Sequence, residues 1–160
     1  MLFRIVMALF LFAPLAASAQ DVSVVYKGTS RYNSDILCTV RDGAVYKGRS
    51  NYQSDVICTV RGDQVYKGRS NYRTDVLYTL RGGVVYAGTS NYRSDIVMTL
   101  RDGLIYKGTS NYSSDIIATN RYGKVYRGTS NYTSDILFTI DGVLTLPEFV
   151  AVWYAVAGTL

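Results

Sequence analysis

The sequence predicts a mainly β protein: a twelve-stranded antiparallel barrel of six 20-residue hairpin repeats, closed around a C-terminal hydrophobic α-helix. Three observations carry this expectation. A 20-residue unit recurs six times from Asp21 onward without a slip in register. Each unit holds two short β-type runs, and successive units are joined by an Asp-Gly-like turn. The chain then ends in a stretch, Thr145 to Ala157, that offers no polar face.

Residues 1–19 stand apart from the rest. Arg4 precedes an apolar run from Ile5 to Ala13, followed by Pro14 and the small-residue site Ala17-Ser18-Ala19, the pattern of a secretory signal peptide. The apolar run is too short for a membrane span, and no cysteine follows the site to accept a bacterial-type lipid anchor. Residues 20–160 are therefore expected to form one domain, exported to a periplasmic or extracellular compartment. A chain of 160 residues, 48% hydrophobic, has material for one core. The net charge is +5 at pH 7, and one unit of it, Arg4, leaves with the leader. So small a surplus argues against a nucleic-acid partner, which calls for a concentrated basic face. The chain has no histidine, which removes the commonest general base and transition-metal ligand. No cofactor is expected.

Within the repeats, Tyr26, Gly28, Ser30, Tyr32, Asp35 and Thr39 each recur at every twentieth position. The run Asp35 to Arg41 is rich in β-branched and apolar residues, Asp42-Gly43 follows, and Ala44 to Gly48 resumes the pattern. Two such runs around Asp-Gly predict a hairpin with a type I′ turn. The connector Ser50 to Asp55 is too full of turn formers to be strand, and predicts a corner held by its own side chains. Counting runs gives twelve strands, from Val22–Gly28 at the start to Asp135–Ile140 at the end. The unpartnered first and last strands can close on each other and abolish both edges.

A twelve-stranded lumen is too wide for short side chains, since about eight strands already give an interior that side chains just fill. The terminal segment supplies the filling. Thr145 and Glu148 have capping-box spacing and Pro147 sits in the first turn. About 12 residues at 1.5 Å rise reach roughly 18 Å, short of a bilayer span but close to a wall of about 15–18 Å. Phe149, Val152, Trp153 and Val156 are the expected core of this plug. Across an Asp-Gly hairpin, residues 36, 38, 40, 45 and 47 should share the inner face and 37, 39, 41, 44 and 46 the outer. The set Cys38, Cys58, Tyr78, Met98, Ala118 and Phe138 is apolar yet varies in volume, as expected of wall positions touching a helix that cannot itself be six-fold. The unvarying Tyr46 and Thr39 sets are expected to make contacts between repeats.

A β-solenoid is the rival architecture, because one coil per 20 residues also fits. Tyrosine-rich cell-wall-binding repeats have a similar length but usually carry a Trp in each repeat, whereas the single Trp here, Trp153, lies in the terminal segment. An outer-membrane barrel needs strands of about 9–11 residues and an outward apolar belt, and these runs are too short and too polar. The cysteines discriminate between barrel and solenoid. In a barrel, one strand separates Cys38 from Cys58 and their Cα atoms lie about 9–10 Å apart, beyond disulfide reach; on adjacent solenoid coils they would stack at roughly 4.8 Å. Two free buried thiols are expected.

The V-Y-x-G strand and D-G turn, repeated six times before an apolar helix, resemble the β-flower group of bacterial repeat proteins over residues 21–160. The resemblance implies hairpin petals arranged as a shallow barrel around a hydrophobic helix. The same architecture is similar to the tubby C-terminal domain and the phospholipid scramblases, which implies binding of lipid headgroups or a membrane surface.

Lys27, Lys47, Lys67, Lys107 and Arg127 occupy one position before the repeat glycine, with Ala87 as the exception, and Arg49 and Arg69 follow two residues on. In a closed barrel these form a basic ring at one mouth. The functional reading is an anion site for lipid headgroups or acidic envelope polymer; the competing reading is a solvated rim. The set Arg41, Arg61, Arg81, Arg101 and Arg121 reads as plain surface. Asp35 and its equivalents, spread round a ring, do not converge as calcium requires and are assigned to turn-stabilising hydrogen bonds. Two readings apply to the tyrosines, Tyr46 and Tyr52 in one unit: stacking platforms for sugars, or structural packing, which their fixed repeat positions favour. The function expected is an exported, non-enzymatic binding or structural module, monomeric by default. The alternatives are an envelope-glycan binder or a self-assembling surface protein. A glycan hydrolase is disfavoured because Glu148, the acid outside the repeat pattern, already serves the helix cap.

Overall fold

The computed structural model describes residues 22–158, and the signal-peptide reading of residues 1–19 lies outside the described residues. The strands are β1 (Ser23–Lys27), β2 (Ile36–Arg41), β3 (Ala44–Lys47), β4 (Val56–Arg61), β5 (Gln64–Lys67), β6 (Val76–Arg81), β7 (Val84–Ala87), β8 (Ile96–Arg101), β9 (Leu104–Lys107), β10 (Ile116–Arg121), β11 (Lys124–Arg127) and β12 (Ile136–Asp141). They form one closed antiparallel barrel in sequence order, with β12 beside β1. The barrel, rather than the solenoid, is the fold.

Five petals are hairpins. Four of their turns have both central residues at positive φ, as in Asp42 (50°) and Gly43 (71°); in Gly62-Asp63 only Gly62 does. The sixth petal is assembled from the two ends of the wall. β12 pairs with β1 through Thr139↔Tyr26 and Phe138↔Lys27, the register that a covalent hairpin has through Thr39↔Tyr46 and Cys38↔Lys47. Each repeat threonine donates its hydroxyl to the carbonyl of the repeat glycine across its petal, Thr39 to Gly48 and Thr139 to Gly28 alike at 2.7 Å. That glycine has φ between 53° and 56° in every repeat, a conformation any L side chain adopts only with strain.

The expected alternation holds between petal partners and fails at the junction between petals. Val25 faces Cys38 while Tyr26 faces Ile36, leaving Leu37 as an inserted residue, and the same bulge recurs at every junction. Two residues opposite one reverse the inside–outside pattern locally. Position 36, expected inside, therefore shares the face of the outer tyrosine. Position 37, expected outside, packs against the core as Leu37, Ile57, Leu77, Ile117 and Leu137; Val97, on the side away from the helix, is exposed instead.

The connectors are the side-chain-bonded corners the sequence predicts. In each, a single 3₁₀ turn such as Asn33–Asp35 follows an extended tyrosine. The Ser30 hydroxyl donates to the Asp35 carboxylate at 2.6 Å and accepts the Tyr32 N–H at 3.1 Å, and the five other corners repeat this pair of bonds. The aspartate set thus has the turn role assigned to it.

The helix α1 (Leu146–Val156) starts on the capping box. Thr145 Oγ1 accepts the Glu148 N–H, and the Glu148 carboxylate accepts the Thr145 N–H at 2.8 Å. Since β12 ends at the hairpin mouth, α1 enters the lumen there and runs toward the connector mouth. Phe149, Val150, Ala151, Val152 and Val156 are buried, each contributing on the order of 1–3 kcal/mol. Trp153, expected in the core with them, is only partly buried, because the last turn nears the open connector mouth.

The helix is not centred. It packs chiefly on β2, β3, β4 and β5, where the wall offers the small Cys38 and Cys58, and the Cys58 thiol reaches the Ala151 carbonyl at 3.5 Å. Larger rings brace it from the flanks, Tyr78 against Tyr154 at 6.0 Å and Phe138 against Trp153 at 6.2 Å between centroids. Both cysteines are free and buried. Burial pushes each thiol up to about 12, and for Cys38 the neighbouring Cys58 adds to the effect.

Candidate binding mouth

The basic residues predicted as a ring do come together at one mouth. Lys27, Lys47, Lys67, Lys107 and Arg127 each end the short strand of a petal, all exposed. Because Lys47 pairs with the inward Cys38, its side chain leaves the inner face at the rim of the lumen rather than the outside of the wall. Arg49 and Arg69 lie just beyond, exposed in the connectors, and Arg69 donates to the Gln53 side chain at 2.5 Å. The ring is interrupted at Ala87. The cross-strand partner of Ala87 is Tyr78, whose ring leans on Tyr154. Burial, with Tyr154 and then Cys58 adding to it, raises the pKa of the Tyr78 hydroxyl.

Around this rim stand six tyrosines that the sequence reading had assigned to packing. Tyr32, Tyr52, Tyr72, Tyr92, Tyr112 and Tyr132 are 71–76% exposed, whereas the Tyr46 set lies half-buried or buried on the wall. The connector explains the difference. Its serine hydroxyl bonds both the aspartate carboxylate and the tyrosine N–H, and the aspartate N–H donates to the tyrosine carbonyl, so the backbone is held from within and leaves the ring exposed. The signal was present in the sequence: the Tyr52 set is flanked by turn formers, the Tyr46 set by alternating apolar residues.

The floor of the mouth is the end of α1. Trp153 and Tyr154, both half-buried, lie beside Phe138 and Tyr78, whose cross-strand partners are the rim residues Lys27 and Ala87. From outside inward, the mouth therefore presents exposed tyrosines, a cationic rim and an aromatic floor. The helix C-terminus points toward this rim, and the partial negative charge of its last carbonyls is placed favourably for nearby cations.

The second arginine set is structural. Arg41, Arg61, Arg81, Arg101 and Arg121 each lie 5.1–5.9 Å from the ring centre of the outer tyrosine of the same petal. At the seam the repeat supplies Asp141 in place of arginine. Arg31, where other repeats have asparagine, bonds Asp141 at 3.0 Å and takes the position over Tyr26 at 5.6 Å. This exchange completes the sixth petal from the opposite side.

No curated protein and no solved structure matches the chain, so the comparisons lend no support to the likeness to tubby and scramblase barrels. A family model described as the 6-fold beta flower protein matches residues 25–153, a span that takes in all six petals and most of the helix, and the chain therefore belongs to that family.

Proposed function

We propose that the protein is an exported, non-enzymatic module whose connector mouth docks on an anionic membrane surface. The single observation that carries this reading is the coincidence, at one mouth, of a lysine and arginine rim with six exposed tyrosines. Tyrosine is the residue that sits with one end apolar and one end wet at a headgroup boundary, and each basic residue near an anionic leaflet contributes about 1 kcal/mol. The geometry supports lying on a bilayer rather than crossing one. The strands have four to six residues, against the roughly 9–11 a spanning strand needs.

Sedimentation with liposomes tests the proposal. The protein should pellet with vesicles containing phosphatidylglycerol and stay in solution with phosphatidylcholine alone. The difference should shrink as salt is raised from about 0.01 M to 1 M, over which the screening length falls from roughly 30 to 3 Å. Replacing Tyr52, Tyr72 and Tyr92 by serine should weaken retention without lowering the melting temperature, since those rings contact solvent. Equal retention on neutral and anionic vesicles at low salt removes the lipid reading. Retention on an acidic polysaccharide but not on vesicles would transfer the same mouth to the envelope-polymer alternative.

A further inference from the structure

At the hairpin mouth, opposite the connectors, the leaning helix leaves a cavity of about 390 Å³ between its first turn and the wall at β8, β9, β10 and β12. Much of its lining is hydrocarbon and ring carbon, from residues such as Leu104, Ile105, Ile140 and Phe149. Val143 and Leu146, also on the lining, are 89% and 51% exposed, so the apolar surface continues out of the cavity onto the rim. A concave apolar surface that opens on exposed hydrocarbon marks a place where something docks.

The same mouth carries a projecting ring. Tyr122 is fully exposed, and the next residue, Gly123, lines the cavity, so ring and cavity are neighbours. Nothing in the turn calls for tyrosine. The equivalent residues are Asp42, Gly62, Gly82 and Asp102, types that accept positive φ, whereas Tyr122 holds φ 53° with a bulky side chain. A fully exposed aromatic kept in a left-handed conformation is strain that packing within the monomer does not offset, and such strain points to a contact outside it.

We propose that this mouth joins two copies of the chain about a two-fold axis, the Tyr122 ring of each entering the cavity of the other. A projection and a recess side by side on one face are self-complementary under a two-fold rotation, which sets each against its opposite. The cavity is larger than one tyrosine side chain. The charges agree with the same symmetry. Arg101 and Asp102, one of each sign, are adjacent on the lining and both exposed, and a two-fold contact sets such a pair against its own copy in reverse order, arginine to aspartate. Tyrosine and arginine are also the types enriched where such contacts are strongest. The contact leaves both connector mouths free, so it does not depend on the membrane reading made for them.

Sedimentation velocity of the purified protein, free of lipid and detergent, tests this. A mouth-sized contact falls at the small end of specific interfaces, so association should be reversible, with monomer prevailing at about 1 μM and dimer at about 100 μM. Tyr122→Asn, which keeps a residue suited to left-handed φ, should weaken association at least about tenfold and leave the fold intact; Tyr122→Gly, the residue type at positions 62 and 82, replaces it if the asparagine variant folds poorly. Leu104→Lys, the residue type at the equivalent position 124, charges the cavity and should weaken association as much. The decisive arm is a mixture of the two variants. A Leu104→Lys copy keeps its ring and a Tyr122→Asn copy keeps its cavity, so the equimolar mixture should form dimers that neither variant forms alone. A single monomeric species at every concentration, association of Tyr122→Asn as strong as that of the native chain, or a mixture no more associated than its components would each overturn the proposal.

Discussion

The outside of the wall and its inside obey different rules. Outside, every petal repeats the same parts: tyrosine under arginine, threonine bonded to the glycine carbonyl, serine bonded to aspartate. Inside, the layer nearest the helix runs Cys38, Cys58, Tyr78, Met98, Ala118 and Phe138. The outer face meets water or an identical neighbour, so one solution serves six times. The inner face meets a single helix with no symmetry of its own, so its volumes are fitted one by one. Small residues admit the helix on one side, rings brace it at the flanks, and a cavity remains where it leans away. Variation within a repeat is here a map of what the repeat touches.

The contrast is broken most severely from the helix side. Val152→Asp places an unpaired carboxylate at a fully buried position and should cost more than about 5 kcal/mol, comparable with the whole stability of a small domain. Loss of a cooperative melting transition would show it. Trp153→Asp should cost less, on the order of 2–4 kcal/mol, because the ring is only partly buried. A Trp153 variant as damaging as the Val152 variant would mean that the last turn is enclosed after all.

Alkaline titration sharpens the comparison chemically. The inner thiols hold their protons up to about 12, against an ordinary 9.0. A group whose value is raised on folding contributes its full stabilisation below its unfolded value and loses it as pH rises through the window to the folded one. Stability should therefore fall from pH 9 toward 12 by up to about 1.4 kcal/mol per pH unit for each thiol. A Cys38→Ala, Cys58→Ala double variant should flatten that slope in urea melts followed across the range. An unchanged slope would assign the alkaline loss to tyrosines such as Tyr78.

Much of this was legible in the sequence and some was not. The period, the turns and the helix cap rest on local chemistry, which a sequence displays, and the closing of β12 on β1 followed from the two unpartnered end strands. The bulge at Leu37 was hidden because a run of Ile-Leu-Cys reads the same with or without an inserted residue. It is fixed by pairing between petals, which no single run contains. The lean of the helix depends on which side offers room, a three-dimensional sum over all six inner layers. The rim lysines were found by their repetition. The exposed Tyr32 to Tyr132 set was misassigned because a repeated aromatic normally signals packing, although its polar flanks pointed to the surface.

Smaller effects probe the outer face. Arg31→Ala removes the seam's exposed ion pair and the contact with Tyr26, and should cost about 1 kcal/mol by denaturant melts. Arg61→Ala, within a covalent petal, removes only the stacking and should cost about half as much. Equal costs would mean that the seam gains nothing from the exchange of Arg31 for Asp141. At the hairpin turns, Tyr122 holds φ 53° fully exposed, where its petal equivalents are aspartate or glycine. Tyr122→Asn should raise stability by about 0.5 kcal/mol by relieving left-handed strain.

The central claim is that the wall closes around the helix, and the cysteines test it most directly. Mass spectrometry of unreduced protein, alkylated before and after denaturation, should find no modification in the native state, two modified thiols after unfolding, and no bridge between them. A Cys38–Cys58 disulfide, or rapid alkylation of both thiols in the folded protein, would contradict a barrel whose inner face is sealed by α1.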